Sequence, residues 1–237
     1  MSSSLQGAPV TGGRARFTAI AVLILFVVGI IGFIALMIQL TTGPAARAFH
    51  DIPDTRAIPG DAAKFDPVAS LPEVAAFAGE GAQLLSIDAH YVRSDGTMEL
   101  TAENYHPYVE YDFVRPVPTP KDAPPLGAGG NAGGQWYEPV SIESTKPGQS
   151  YYVQSSSGNY SYTSDGLLRK ADKPESRRER IVPPPKCTFA QLWQTAIQKK
   201  EAPKDAVASI QYNDQGYLFN VSSMSSFLRF DMDCNLK

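Results

Sequence analysis

Hydrophobic residues are distributed in two regimes along this chain. From Phe17 to Leu40 they run unbroken through FTAIAVLILFVVGIIGFIALMIQL, 24 residues without a charge. At about 1.5 Å per residue such a helix is about 36 Å long, enough to span a hydrocarbon core of about 30 Å with some tilt. From residue 67 onward, apolar positions recur instead at helical and strand periods, the mark of elements that bury one face only. The chain therefore reads as an N-terminal membrane span followed by an antiparallel α+β domain.

After a linker over 41–66, the first periodic stretch covers 67–116. Asp66-Pro67 and Ser70-Leu71-Pro72-Glu73 both offer helix starts, the second with capping-box spacing. Leu71, Val74, Ala75 and Ala78 follow at helical intervals, and Gly79 stops the helix. Leu85, Ile87, Ala89 and Tyr91 then alternate with Ser86, Asp88 and His90, and Ser94-Asp95-Gly96-Thr97 turns the chain. Met98 and Leu100 continue the apolar face as a second strand. Val109, Tyr111 and Phe113 form a third, against Glu110 and Asp112.

Residues 117–186 interrupt this order. PVPTPKDAPPLGAGGNAGG, over 116–134, holds no core and predicts an exposed loop. Short strands are expected around Val140–Glu143, Tyr151–Gln154 and Tyr160–Tyr162, and the charged run KADKPESRRER leads to Pro183-Pro184-Pro185. Residues 187–237 are the best-patterned part. Thr188 and Gln191 make a capping box, and Phe189, Leu192, Trp193, Ala196 and Ile197 an apolar stripe. Lys199 and Lys200 suit the negative end of that helix. Ala208, Ile210 and Tyr212, then Tyr217, Phe219 and Val221, alternate across an Asn213–Gly216 turn. Leu228, Phe230, Met232 and Cys234 complete a last strand.

The two ends match in order: a capping box, an amphipathic helix, a strand containing Ser-Ile (Ser86-Ile87 and Ser209-Ile210), an Asp/Gly turn and further strands. Ser70 to Gly96 is 26 residues and Thr188 to Gly216 is 28. This predicts two α-β-β-β units, 67–116 and 187–237, by duplication or by shared supersecondary grammar. The order resembles PepSY-like domains, extracytoplasmic modules in which a helix precedes an antiparallel hairpin with a Gly-containing turn. It covers about 50 residues at each end and not the middle third. The resemblance implies a packing or partner-binding module, not an enzyme.

Charge fixes the direction of the span. Arg14 and Arg16 precede it and no acid occurs in the first 40 residues, whereas Arg47 is soon followed by Asp51 and Asp54. The positive-inside rule puts a cytoplasmic tail at 1–16 and the domain beyond the span in the periplasm, at the inner (cytoplasmic) membrane of a bacterium. A cleaved signal peptide is the rival, but 24 apolar residues exceed a signal core of about 7–15. Thr18, Ala21, Leu25, Gly29, Gly32 and Leu36 lie on one side of the span. They form either a seam for close helix approach or the ordinary glycine content of a span. The span has no ionisable residue and so no relay or cofactor ligand.

Candidate chemistry is sparse. Cys187 and Cys234 are the only cysteines, expected to form a structural disulfide outside the cell, closing a loop of about 47 residues. That closure is worth about 4 kcal/mol in the chain-entropy view. His50, His90 and His106 lack metal-ligand spacing, and Gly127–Ala132 lacks the strand and helix a dinucleotide fingerprint needs. Asp231 and Asp233 read as the solvent side of a strand. No nucleophile motif occurs. With 21 basic against 24 acidic residues the chain is no general nucleic-acid binder. Catalytic residues, metals and cofactors are therefore expected to be absent.

Aromatic residues exceed what a core requires: Trp136, Tyr137, Tyr151, Tyr152, Tyr160 and Tyr162 cluster in the middle segment, as partner-interface candidates or as ordinary strand formers. Taken together, the sequence predicts a non-catalytic single-span accessory subunit of a respiratory, photosynthetic or secretion complex, with other membrane subunits and the lipid bilayer as its partners. The alternative is a solitary envelope protein that binds a glycan or peptide. A tethered hydrolase fits less well.

Overall fold

The computed structural model describes residues 28–34, 53–121, 135–155, 158–176, 180–199, 202–222 and 227–237. The chain divides into two units, Met1–Ile52 and Pro53–Lys237. Of the first, residues 28–34 form a helix whose apolar side chains are exposed. The rest of the 17–40 span lies outside the described residues, with Thr18, Ala21, Leu25 and Leu36. So do the 1–16 tail and the linker up to residue 52. Gly29 and Gly32 fall on the described turn, and a side chain at either would meet nothing. Among the described residues no helix is long and apolar enough to cross a membrane.

The second unit is an antiparallel-sheet α+β fold. Among the described residues ten strands are formed: β1 (Asp54–Ala57), β2 (Gln83–Val92), β3 (Val109–Val117), β4 (Trp136–Ser144), β5 (Ser150–Ser155), β6 (Gly158–Thr163), β7 (Gly166–Ala171), β8 (Ala208–Asn213), β9 (Gly216–Val221) and β10 (Phe227–Phe230). The described residues also form two α-helices, α1 (Leu71–Ala78) and α2 (Phe189–Gln198), and a short 3-10 helix at Ala62–Lys64. Eight strands make one sheet in the order β1-β7-β4-β3-β2-β8-β9-β10, and β5 pairs with β6 as a separate hairpin.

Alternation decides which sheet face is buried. Ile87, Ala89, Val109, Tyr111, Phe113, Val140, Ile142, Ala208, Ile210, Tyr212, Phe219 and Phe230 all point to the inner face, and both helices bury their apolar stripes in the same cluster. Trp193 of α2 meets Phe219 edge-on at 4.9 Å. The buried Tyr111 hydroxyl donates to Pro67 O, and the Tyr212 hydroxyl donates to Pro183 O, pinning an extended strap over 180–186. At the rim, Glu138 bonds Arg115 and lies 3.7 Å from Arg169, whose Nε donates to Ala78 O. Two guanidinium groups thus sit at the negative end of α1, where cations are favoured.

Four expectations are corrected by this fold. Met98 and Leu100 do not form a strand: Met98 only bridges Phe65, and β2 pairs directly with β3. The Ser70 side chain does not cap α1; Asp66 instead accepts from Val68 N and Ala69 N, turning the chain before the helix begins. Register shifts between Leu84 and Ser86 and between Ala89 and Val92 break the simple alternation of β2. Leu84 and Val92, not Leu85 and Tyr91, therefore enter the core. Tyr91 is turned outward with φ +66, rare for a residue with a side chain. Finally, the last strand stops at Phe230, because Asp231 accepts from Asp233 N and Asn235 N and closes a turn. Met232 and Cys234 thus do not continue it.

The middle segment is not an appendage. It supplies β4 and β7 to the main sheet, beside β3. The α2 capping box forms as its sequence dictates, with Thr188 and Gln191 each bonding the other's backbone. Cys187 and Cys234 are disulfide-bonded, with Cα atoms 6.1 Å apart.

Gly96 is where the two ends of the domain press together. It has φ +82, and a Cβ there would lie 2.5 Å from Ala190 N at the start of α2. Gly148 has φ +79 but open space around it. Gly148→Ala should therefore lower stability by about 1 kcal/mol, the left-handed penalty alone. Gly96→Ala adds overpacking against backbone and should lose about 3 kcal/mol or more. Denaturant unfolding of the full chain in detergent compares the two; equal losses would show that α2 does not rest on this turn.

Candidate functional site

The outer face of the sheet is polar, and its register places like charges side by side. Asp88 of β2 lies opposite Glu110 of β3, and Glu110 lies opposite Glu143 of β4. Asp112 stands one step along, between Ser86 and Ser141. Carboxylates directly opposed across a ladder repel, so this arrangement works against the sheet. Hydroxyls moderate it: Ser86 donates to Asp112 at 2.7 Å and Ser141 to Glu110 at 2.9 Å.

Burial and the same crowded charges shift the protonation of these groups. Burial pushes the Asp112 carboxyl above its ordinary value, the Ser86 hydroxyl partly offsets this, and Glu110 and Asp88 add to it. Burial also raises Glu143, with Glu110 adding its charge. The Tyr108 phenol is pushed up by burial and then by Asp88, Glu110 and Glu143.

Beside the carboxylate row lies a second group. The His90 ring has Ser209 Oγ 3.0 Å from Nδ1 and Asp88 Oδ1 3.2 Å from Nε2, and it stacks on Tyr108 at 4.5 Å. His90, which has no metal-ligand spacing in the sequence, is thus held among three side chains. The β2 irregularity beyond Ala89 carries it, and brings Tyr91 against Tyr105 at 5.0 Å. A hydroxyl, an imidazole and a carboxylate in line are the parts of an acyl-transfer relay, and here all three are half-buried on the outer side of the sheet. Catalysis of that kind also needs oriented donors for a developing oxyanion in a water-excluded site.

The six aromatic interface candidates separate into two places. Tyr151 and Tyr162 pair across the β5–β6 hairpin and stack at 5.3 Å; Tyr160 and Val153 share their face, while Tyr152 points the other way, 65% exposed. Glu143 lies close enough to raise both Tyr151 and Tyr162, behind the larger effect of burial. The hairpin therefore borders the acidic row. Trp136 and Tyr137 begin β4, roughly 20 Å from Glu143 at strand rise. There Tyr137 exchanges backbone bonds with Glu175. They do not join the hairpin tyrosines.

On the inner side, an apolar groove of about 540 Å³ runs between α1 and the 180–186 strap, lined by Leu71, Ala75, Leu84, Phe113, Ile181 and Pro184. Among the described residues no group of three His, Cys, Asp or Glu side chains is placed to hold a metal. No family model, curated protein or solved structure matches the chain.

Reading the row from sequence alone was blocked by register. Alternation puts Asp88, Glu110 and Glu143 on polar faces, but only the pairing shows that they are neighbours. The raised carboxyls have a consequence for stability. Asp112 and Glu143 hold their protons more firmly when folded, so their contribution to stability is greatest below the unfolded carboxylate pKa and is lost as pH rises through the folded values. Glu110→Gln keeps an acceptor for Ser141 and removes the central charge. It should raise stability at pH 7 by about 0.5–1 kcal/mol. It should also flatten the fall in stability between pH 4 and pH 7. Midpoints at the two pH values measure both, and a destabilised variant at pH 7 would show that the row is not repulsive.

Proposed function

We propose that this chain is a non-catalytic, single-span accessory subunit of a bacterial membrane protein complex of respiratory, photosynthetic or secretion type. Its domain caps or bridges partners on the periplasmic side. The observation that supports this most is the outer sheet face, where carboxylates stand in register against one another at a cost to the fold. Sequences that keep a local conflict keep it where function needs it. A surface of that kind, bordered by tyrosines, suits contact with another protein. The uncharged 17–40 run supplies the anchor, and the Cys187–Cys234 bridge suits a compartment where disulfides persist.

Kinship of the two ends with PepSY-like modules belongs to the same proposal. Its support is that each end contributes a helix followed by an antiparallel hairpin, β2–β3 after α1 and β8–β9 after α2. A second reading, a solitary envelope protein gripping a glycan or peptide, is favoured by one feature, the stacked Tyr151–Tyr162 pair with Tyr152 exposed behind it.

The decisive measurement is sedimentation of gently solubilised membranes. Wild type should travel with a large assembly, and Gly29→Leu/Gly32→Leu should release it while the disulfide-bonded domain stays folded, because larger residues block close helix approach. A wild-type chain that sediments as a detergent-bound monomer would transfer the case to the solitary binder. A cytoplasm-only reporter fused after Lys237 should be silent; activity there would overturn the periplasmic placement.

A further inference from the structure

The apolar groove on the inner side has fixed walls. Its floor is Leu84 of β2 and Phe113 of β3, partners across the ladder and both buried. One wall is the first half of α1, through Leu71, Pro72 and Ala75. The other is the strap, which is held at two points. Val182 N donates to Leu84 O at 2.8 Å, and the Tyr212 hydroxyl donates to Pro183 O at 2.8 Å. Walls held in this way keep about 540 Å³ open where close packing would otherwise fill it. That volume lies within the range of sites that take one small molecule, about 300–1,000 Å³. Ile181 stands at the lip, 45% exposed, whereas Val182 beside it is buried.

The chemistry of the lining selects the occupant. Among the described residues that line the groove none is charged, and the amide of Gln83 is the one polar side chain. The backbone groups of the strap are largely spent. Pro183 and Pro184 have no N–H, Val182 N and Leu84 O are bonded to each other, and Pro183 O is taken by Tyr212. A peptide seated here would bring N–H and C=O groups into an apolar site without partners for them, which is costly, and a charged group would cost more. A hydrocarbon chain brings neither, and each methylene it buries gains about fourfold in affinity over water. We infer that the groove holds the tail of a single-chain lipid, a free fatty acid, whose carboxylate stays outside in water. One trough between one helix and one strap accommodates one tail, and the second tail of a phospholipid would be left in water. The inference does not rest on the subunit reading.

The test uses the full chain in phosphatidylcholine nanodiscs and palmitic acid that carries a photoactivatable diazirine near its methyl end. After irradiation, peptide mass spectrometry should place adducts on 71–84 and 181–184, and excess plain palmitate should suppress them. Ala75→Phe fills the groove and Ile181→Asp charges its lip. Each should cut these adducts about tenfold or more, the equivalent of about two methylenes denied burial. Ile181 is already exposed to water, so Ile181→Asp spares the core even if Ala75→Phe disturbs α1. Circular dichroism and alkylation-resistant cysteines check that the domain of each variant is folded. Adducts that avoid these two segments would overturn the site, and so would adducts that persist undiminished in Ile181→Asp. A diazirine phosphatidylcholine that labels the segments where palmitic acid does not would overturn the single-chain lipid as the occupant.

Discussion

Everything in the domain hangs on β2 having partners along both sides. The sheet reaches β3, β4, β7 and β1 through one side of this strand and β8, β9 and β10 through the other. The β2–β8 ladder joins residues 87–92 to 208–212, about half the chain apart. Closing so long a loop is entropically expensive but grows only slowly with length, and a core shared by both sides offsets it. Both helices bury their apolar stripes in one cluster with the inner face, α1 beside β4, and the Gly96 turn meets the start of α2. The register shifts of β2 follow from this double duty. A strand matched to β3 on one side and β8 on the other absorbs the difference as local irregularity, and each shift changes which side chain faces the core.

That irregularity is what builds the outer surface around His90. Beyond Ala89 the chain turns Tyr91 outward and sends Val92 into the core. His90 is left between Ser209 and Asp88, with Tyr108 beneath its ring. The carboxylate row beside it is a conflict within an otherwise consistent sheet. Inside the fold, alternation, capping at Thr188, aromatic packing and the Arg115–Glu138–Arg169 network favour the same arrangement, while Trp193 Nε1 and Ser144 Oγ are buried without a hydrogen-bond partner. On the outer face, the pairing that satisfies the core brings Asp88, Glu110 and Glu143 together.

Local grammar was legible in the residues and long-range pairing was not. The capping box of α2, the β8–β9 hairpin, the alternation of β3 and the disulfide could all be read from spacing, because each rests on contacts near in sequence or on two unique cysteines. Met98 and Leu100 look like a strand since they carry its period, yet Phe65, far upstream, claims Met98 before β2 can. By alternation the last strand runs through Cys234, but the Asp231 carboxylate offers backbone donors a local alternative to the ladder, as short acidic side chains do. The acidic row left only its members visible, never their adjacency.

The middle segment changes what the two similar ends amount to. Read as an insert between repeated units, it would be a decoration on a two-part domain. In the fold it supplies β4 and β7, which extend the sheet beyond β3 and carry it to β1. Glu143 is on β4, so the row that begins with Asp88 at one end of the domain is completed by the segment outside the repeat. The hairpin tyrosines bordering Glu143 come from the same segment. Ser209, which holds His90, comes from the other end. The surface is therefore assembled from all three parts, and neither α-β-β half alone could present it. Whatever kinship the ends have, it describes how the inner face is packed, while the outer face belongs to this sheet as a whole.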